Sequence, residues 1–396
     1  MKMFKKALSL MLVGAMALSM AACGSKDGGS SDNSGNSGEE VFKIGSIGPA
    51  TGAAAIYGLG VKNGVQVAVD EINAAGGING YKVEFKFEDD ELNNEKSVNA
   101  YNTLKDWGMQ MLVGSTTSDC SIAVSAKTSA DNMIQLTPSG SSVDCIATDN
   151  AFQVCFTDPS QGMRSAQYIG EHKLATKVAV IYDSSTSYSS GIYAKFKEEA
   201  ANQNLEIVSE GAFTADNNKD FSVQLQQAKD AGAELVFLPI YYTEAALILA
   251  QADSMSYDPI FFGCDGMDGI LGVENFDTSL AEGLMLLTPF VADSDDEATK
   301  KFVESYKKLA DGETPNQFAA DAYDAVYALK AAIEKADVKP SASISDICEA
   351  VKGAMTEINV KGLTSDEQGM TWDATGEVDK APKAAVIENG KYKMMQ

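Results

Sequence analysis

The stretch "VFKIGSIGPATGAAAIYGLGVKNGVQVAVDEINAAGGINGYKVEFKFEDDE", residues 41–91, decides the fold. It opens on a run of strand type, VFKIGSIG (41–48), and passes into a loop of small residues. Val61, Val65, Ala68, Val69 and Ile72 then recur at helical spacing, and "AAGG" supplies the glycines that close a helix. KVEFKFED (82–89) begins the next strand. A strand, a crossover helix and a second strand make the unit from which parallel sheets are built.

The plan continues outward. Further apolar runs are MLVG (111–114), IQLTP (134–138), KVAVIYD (177–183), LVFLPIYY (235–242), IFFGCD (260–265) and GLMLLTPF (283–290). Helical patterns separate them, as where Phe221, Leu225 and Ala228 recur. Regular alternation of this kind predicts an α/β protein with parallel sheets covered on both faces. It also restarts: "KVAVIYDSSTSYSSGIY" (177–193) repeats the strand, small-residue loop and helix entry, with Tyr188 where the first copy has Tyr57. Two similar lobes follow. Ligands of open α/β sheets bind beyond the carboxyl ends of the strands, so two facing lobes place a site in the cleft between them.

The N-terminus sets the compartment. "MKMFKKALSLMLVGAMALSMAAC" has a basic start, an apolar core short for a membrane span, then small residues: a secretory signal over residues 1–22. "SMAAC" resembles a bacterial lipobox, with Met20 where leucine is usual, and makes Cys23 the residue that receives lipid. Residues 24–40 are free of apolar side chains, so 23–40 reads as a flexible, lipid-anchored tether. Loss of 1–22 removes three lysines and no acids, so 31 basic residues become 28 against 56 acids, a net charge of −28. That excludes nucleic acid and adsorption to anionic lipid. The 356 residues after residue 40 exceed what one core usually holds, which again gives two domains.

Six cysteines less Cys23 leave five, so at least one thiol stays free. Cys120 and Cys145 follow neighbouring strand-end loops and are either a disulfide or two free thiols. There is no CxxC or Cys/His cluster, so no zinc site is expected.

The strand ends collect Ser115 to Ser118, Ser139 to Ser142, Tyr57, Tyr188, Tyr241 and Asp265. Hydroxyls and aromatics with one carboxylate suit a small polar molecule. In "MLVGSTTSDC" the strand runs into a helix N-terminus, whose unpaired N–H groups and partial positive charge favour an anion, and Ser118 offers a hydroxyl there. "LTPSGSSVDC" is a second such turn, with a carbonyl from Ser139 and a hydroxyl and N–H from Ser141. Arg164 is the sole arginine, so dipoles and hydroxyls must neutralise a bound carboxylate. Serines are also ordinary helix caps; two such loops beside matching tyrosines favour binding. Asp265, before Gly266, either meets an ammonium group or starts a turn.

Enzyme signatures are missing. His172, the sole histidine, sits in the polar "GEHKLATK", and no GxSxG elbow occurs. "DNNKD" (216–220) lacks the glycine turn and distal glutamate of a calcium loop. The "GLG" at 58–60 leads into no phosphate loop and reads as close helix packing.

The opening block resembles that of the branched-chain amino-acid-binding family of ABC-transporter receptors. "TDPSQGMRSAQYI", "YDSSTSYSSGIYAKFKE", "TADNNKDFSVQLQQAKDAGAELVFLP", "FFGCDG", "FAADAYDAVYALKAA" and "GMTWDATGEV" match later blocks, so the likeness spans residues 42–390. It implies the type I periplasmic-binding-protein fold: two doubly wound parallel-sheet lobes, residues 41–160 plus 291–363 and 161–290 plus 364–396, joined by a three-strand hinge. It implies a role for Ser118, Ser139 and Ser141 on a ligand's α-carboxylate and part of its ammonium. Asp265, often Glu in relatives, would take the ammonium with Tyr241 beside it. Tyr57, Tyr188 and Phe318 would wall the side-chain pocket, with Thr116 and Thr117 lining it. Those threonines are more polar than in the leucine-binding type, and Gln153 stands for an arginine, in a position read as structural.

The expected protein is an extracytoplasmic, lipid-anchored monomer on the outer face of the cell membrane. It captures an amino acid, branched-chain aliphatic first, for an ABC permease and ATPase, with no metal, cofactor or enzymatic activity. The alternatives are a receptor of the same fold for an amide, urea or an aromatic or organic acid, or a ligand sensor.

Overall fold

The computed structural model describes residues 40–395. The expected signal segment 1–22, the lipid-bearing Cys23 and all of the tether but Glu40 lie outside the described residues.

The first sheet holds β1 (Val41–Gly48), β2 (Lys82–Asp89), β3 (Met111–Gly114), β4 (Gln135–Thr137) and β5 (Ala151–Gln153) in the order β2-β1-β3-β4-β5, every pair parallel. Helices α1 (Ala55–Ala74), α2 (Asn94–Trp107) and α3 (Ser118–Asp131) make its crossovers. β3 is buried at all four positions, as a central strand covered on both faces must be. The Asn93 side chain accepts the Lys96 N–H to start α2, and Gly108, at φ 93°, ends it in the left-handed region.

The chain then builds a second sheet. Helix α4 (Asp158–Glu171) leads to β6 (Lys177–Asp183), α5 (Ser187–Ala200), β7 (Glu206–Phe213), α6 (Ser222–Asp230), β8 (Leu235–Leu238), α7 (Tyr242–Ser254), β9 (Ile260–Gly263) and β10 (Met285–Thr288). Next α8 (Glu297–Leu309), α9 (Gln317–Ala336) and α10 (Ile344–Met355) return to the first sheet, where α8 and α9 pack on α1. The approach of α1 to α9 is so close that a Cβ on Gly64 would lie 2.1 Å from the Ala319 carbonyl oxygen, so "GLGVKNG" supplies packing. The chain ends in β11 (Lys383–Glu388) and β12 (Lys391–Met394), giving the order β12-β11-β10-β9-β8-β6-β7.

The chain thus passes between the sheets three times, after β5, after β10 and before β11. At the third passage Lys380 is buried, its ammonium bound to Asp321 at 2.6 Å, the Thr364 hydroxyl at 2.6 Å and the Val154 carbonyl at 3.1 Å. It ties α9 and the third passage to the first passage.

Several features depart from the sequence reading. β11 runs antiparallel to β10 and to β12, so the second sheet is parallel only in its other five strands. The short β5, the half-exposed β7 and this hairpin were not expected as strands. Strands expected to reach Tyr242, Asp265 and Phe290 stop at Leu238, Gly263 and Thr288, leaving the residues beyond free to form the cleft.

Candidate functional site

The carboxyl ends of β1, β3 and β4 face the loops after β6, β8 and β9 across a narrow, nearly filled cavity of about 10 Å³. Tyr57, Thr116, Thr117, Ser118, Ser139, Tyr188, Tyr241, Asp265, Gly266 and Phe318 line it. Nine of the ten candidate residues therefore come together. Ser141 stands one layer behind, fully buried, its N–H on Ser118 Oγ at 3.1 Å. Gly266 is an addition from the structure: a Cβ there would lie 2.7 Å from the Tyr188 hydroxyl, so the backbone can approach that ring only as glycine.

The hydroxyls on the first sheet's side have fixed polarity. A serine oxygen has one proton to give and room to accept two. Ser118 Oγ accepts from the N–H groups of Ser141 (3.1 Å) and Ser142 (3.2 Å), so it has only its own proton left to offer. The first-turn amides of α3 point the same way, because a helix start leaves its N–H groups without carbonyl partners. Ser139 is the reverse: its hydroxyl donates to the Thr116 carbonyl at 2.6 Å and keeps acceptor capacity. Thr116 likewise donates to the Ile47 carbonyl at 3.2 Å. Among the described residues, Thr117 Oγ1 and Ser141 Oγ are buried without a hydrogen-bond partner.

The opposite wall carries the charge. Asp265 is 3 % exposed, its Oδ1 accepts the Tyr188 hydroxyl at 2.7 Å, and its N–H donates to Gln161 Oε1 at 3.1 Å. Burial pushes its carboxyl up to about 6, against the hydrogen bonds from Tyr188 and Gln161 that pull it down. Among the described residues no cation is in contact with it: Arg164 pairs with Glu171 at the surface, and Lys380 binds Asp321. The aromatic rings fill the space between. Tyr57 lies 4.4 Å from Phe318 and 5.4 Å edge-on from Tyr241, which is 5.1 Å from Tyr188.

The two walls are joined directly. Tyr57 donates to the Gly266 carbonyl at 2.5 Å, and Gln317 gives its N–H to Asp268 at 2.7 Å and its side-chain amide to the Asp265 carbonyl at 3.1 Å. Ser187, at the start of α5, donates its hydroxyl to Asp119 on α3 at 2.6 Å. Tyr242, passed over in favour of its neighbour Tyr241, accepts the Ile56 N–H at 3.3 Å. The cleft is shut.

The disulfide alternative is corrected. Cys120 and Cys145 are both buried free thiols, as are Cys155, Cys264 and Cys348. The first turn of α3 sends Cys120 Sγ toward Asn94 Oδ1 (3.6 Å), whereas Cys145 Sγ turns to the Ser118 carbonyl (3.6 Å). Gln153, as the sequence implied, is outside the cavity lining; its carbonyl accepts the Trp372 indole N–H at 2.8 Å. His172 is exposed, stacks on Tyr168 at 4.1 Å and is not among the residues that line the cavity. Among the described residues no group of acidic, histidine and cysteine side chains is arranged to hold a metal, and no helix is long and apolar enough to cross a membrane.

Comparison with known proteins gives the family and the fold. A family model described as periplasmic binding protein matches residues 41–383. A Leu/Ile/Val-binding protein homolog 3 from Brucella melitensis is 31% identical over 333 residues, 82% of this chain and 87% of that protein. The crystal structure of the branched-chain amino-acid transporter substrate-binding protein LivJ from Streptococcus pneumoniae, in complex with isoleucine, superimposes with a TM-score of 0.80 at 27% identity, covering 90% of this chain and 99% of the other. A leucine-binding protein LivK from Thermotoga maritima gives a TM-score of 0.79 at 25% identity, covering 90% and 98%.

Proposed function

The chain belongs to the periplasmic binding proteins, in the branched-chain amino-acid substrate-binding family of ABC importers, and from that membership we propose that its cleft captures a branched-chain aliphatic amino acid for delivery to an importer. The observation that carries the reading is the polarity of the two walls. Ser118 has only a proton to give, and the first turn of α3 adds N–H donors; Asp265 across the cavity has only a carboxylate. A zwitterion answers both, its carboxylate on Ser118 and the loop of Ser139 and Ser141, its ammonium on Asp265 beside Tyr241. Tyr57, Tyr188, Phe318, Thr116 and Thr117 would enclose the side chain.

In this reading residues 41–160 with 291–363 and residues 161–290 with 364–396 move as two lobes. Ligand held by the serine loops favours closure, because closure alone brings Asp265 onto it; a ligand shifts the equilibrium by its differential affinity for the two states. The closed form is what a membrane permease would recognise. Cys23 carries the lipid that holds this monomer outside the cell membrane, and the cavity performs no catalysis.

Calorimetry on residues 41–396 with leucine, isoleucine and valine, against benzamide, urea and benzoate, tests the reading. Saturable binding of the amino acids is expected, with a loss of about 2–5 kcal/mol in Asp265→Ala, because an ammonium would be left buried and unpaired. Tight benzoate or amide binding that survives Asp265→Ala would overturn it in favour of a same-fold receptor for those compounds.

A further inference from the structure

Asp158 opens α4 directly behind the second serine loop. Its backbone N–H donates to the Ser141 carbonyl at 2.8 Å, and the residue is 1 % exposed. An acid in the first turn of a helix is ordinarily solvated and favoured by the helix's positive end. Here α5 covers it: a Cβ added to Gly191 would stand 3.3 Å from Asp158 Oδ2.

Among the described residues the neighbourhood offers no positive charge. Facing Asp158 are the Ser141 hydroxyl, the Cys145 thiol, Asp119 from α3, Tyr241 at the entry to α7, and Cys264 and Asp265 after β9. Among the described residues both Asp158 carboxyl oxygens lack a hydrogen-bond partner, and so does the adjacent Ser141 Oγ. An ionised carboxylate in that setting has no counter-ion and only the Ser141 hydroxyl as a side-chain donor, and two other acids repel it. Burial accordingly drives its carboxyl well above the usual carboxylate range, with Asp265 and Asp119 adding to the rise. A neutral acid needs one acceptor, and the unpartnered Ser141 oxygen is beside it.

We propose that Asp158 stands behind the serine loop as a neutral acid that donates its proton to Ser141 Oγ, leaving the Ser141 O–H, one layer behind the lining of the shut cleft, to turn toward the ligand's carboxylate when a ligand parts the walls. Asp158 is then a positioning residue that acts through Ser141 without touching ligand. The inference rests on the amino-acid reading above. It explains how an anion is held beside three acids without a nearby cation. Its consequence is a linkage: an ionised Asp158 and a bound carboxylate repel each other, so affinity falls as Asp158 loses its proton, and binding takes a proton up.

The test uses leucine as probe and the conservative variant Asp158→Asn, whose amide donates to Ser141 but cannot ionise. Calorimetry from neutral pH upward, in buffers of different ionisation enthalpy, should show wild-type affinity falling by up to about tenfold per unit on the alkaline side, with proton uptake. Asp158→Asn should bind about threefold to tenfold more weakly and lose both the slope and the uptake; Asp158→Ala, with no donor, should be weaker again. Equal slopes in wild type and Asp158→Asn overturn the proposal. A second measurement needs no ligand. The infrared difference between unliganded wild type and Asp158→Asn at neutral pH should contain a carboxylic-acid carbonyl band; a carboxylate pair in its place overturns the assignment. If leucine gives no heat with any of these proteins, the amino-acid reading fails, and the infrared band alone decides Asp158.

Discussion

The Tyr188 hydroxyl donates to Asp265 Oδ1 at 2.7 Å and accepts the Gly266 N–H at 3.0 Å. One phenol thus fixes both the carboxylate of the cavity and the backbone turn that carries it. The ring packs on Tyr241 at 5.1 Å, so the charged wall and the aromatic wall are one assembly.

Tyr188→Phe keeps the ring and removes that bridge. Asp265 and the Gly266 amide each lose a partner in a buried site, a cost of about 1–3 kcal/mol. Leucine affinity is expected to fall about tenfold to a hundredfold by calorimetry, with the cooperative unfolding transition retained. An unchanged affinity would remove Tyr188 from the binding wall.

Asp265 gives binding an acid limb. Its carboxyl titrates at about 6 in the closed, unliganded protein. Below that range it is neutral and no longer attracts an ammonium, so affinity should fall by up to about tenfold per unit as pH drops. Asp265→Asn should bind weakly at every pH and lack the limb. Stability moves the other way. The folded carboxyl is raised above its unfolded value, so the unliganded protein loses stability between about pH 4 and about pH 6 as pH rises. Urea titrations at the two ends of that window, with wild type and Asp265→Asn, measure it.

Lys380→Met should be the most destabilising of these substitutions. It leaves Asp321, 2 % exposed, without its counter-charge, and strips the Val154 carbonyl and Thr364 of a donor. Breaking one side of a buried pair costs about 3–5 kcal/mol. Chemical denaturation should show that loss, and Lys380→Met with Asp321→Leu should recover part of it. An additive double variant would mean that the two groups do not act as a pair.

Much of this was legible before any coordinates. Strands such as β3 and β8 are unbroken apolar runs, because both faces are covered, and the strand-end rule led from them to Ser118, Tyr188 and Asp265. β7 was hidden because its "EIVSEGAF" mixes charges into a half-exposed edge, and β5 because three residues make no pattern. The antiparallel hairpin carries no signal that separates it from another crossover. Asp158 and Gln161 were missed for a different reason: "TDPSQG" reads as a solvated helix start, and α5, which passes over it at Gly191, helps to bury it. Asp268 and Gln317 depend on a meeting of distant segments that spacing cannot show. Cys120 and Cys145 follow neighbouring strand-end loops, yet the turn of α3 points the first sulfur at Asn94, while the second, in the turn at 143–146, points at the Ser118 carbonyl.

The hairpin that closes the chain also seals a border. β12 is the outermost strand of the seven-stranded sheet, and its lysines Lys391 and Lys393 reach Asp293 at 3.0 Å and Glu388 at 2.9 Å. At the far margin β7 presents Glu206 and Glu210, the latter clasped by Lys197 at 2.9 Å. A strand from a neighbouring molecule would have to strip water from these charges before it could zip on, a known deterrent to aggregation. Molecules crowded side by side can therefore stay separate.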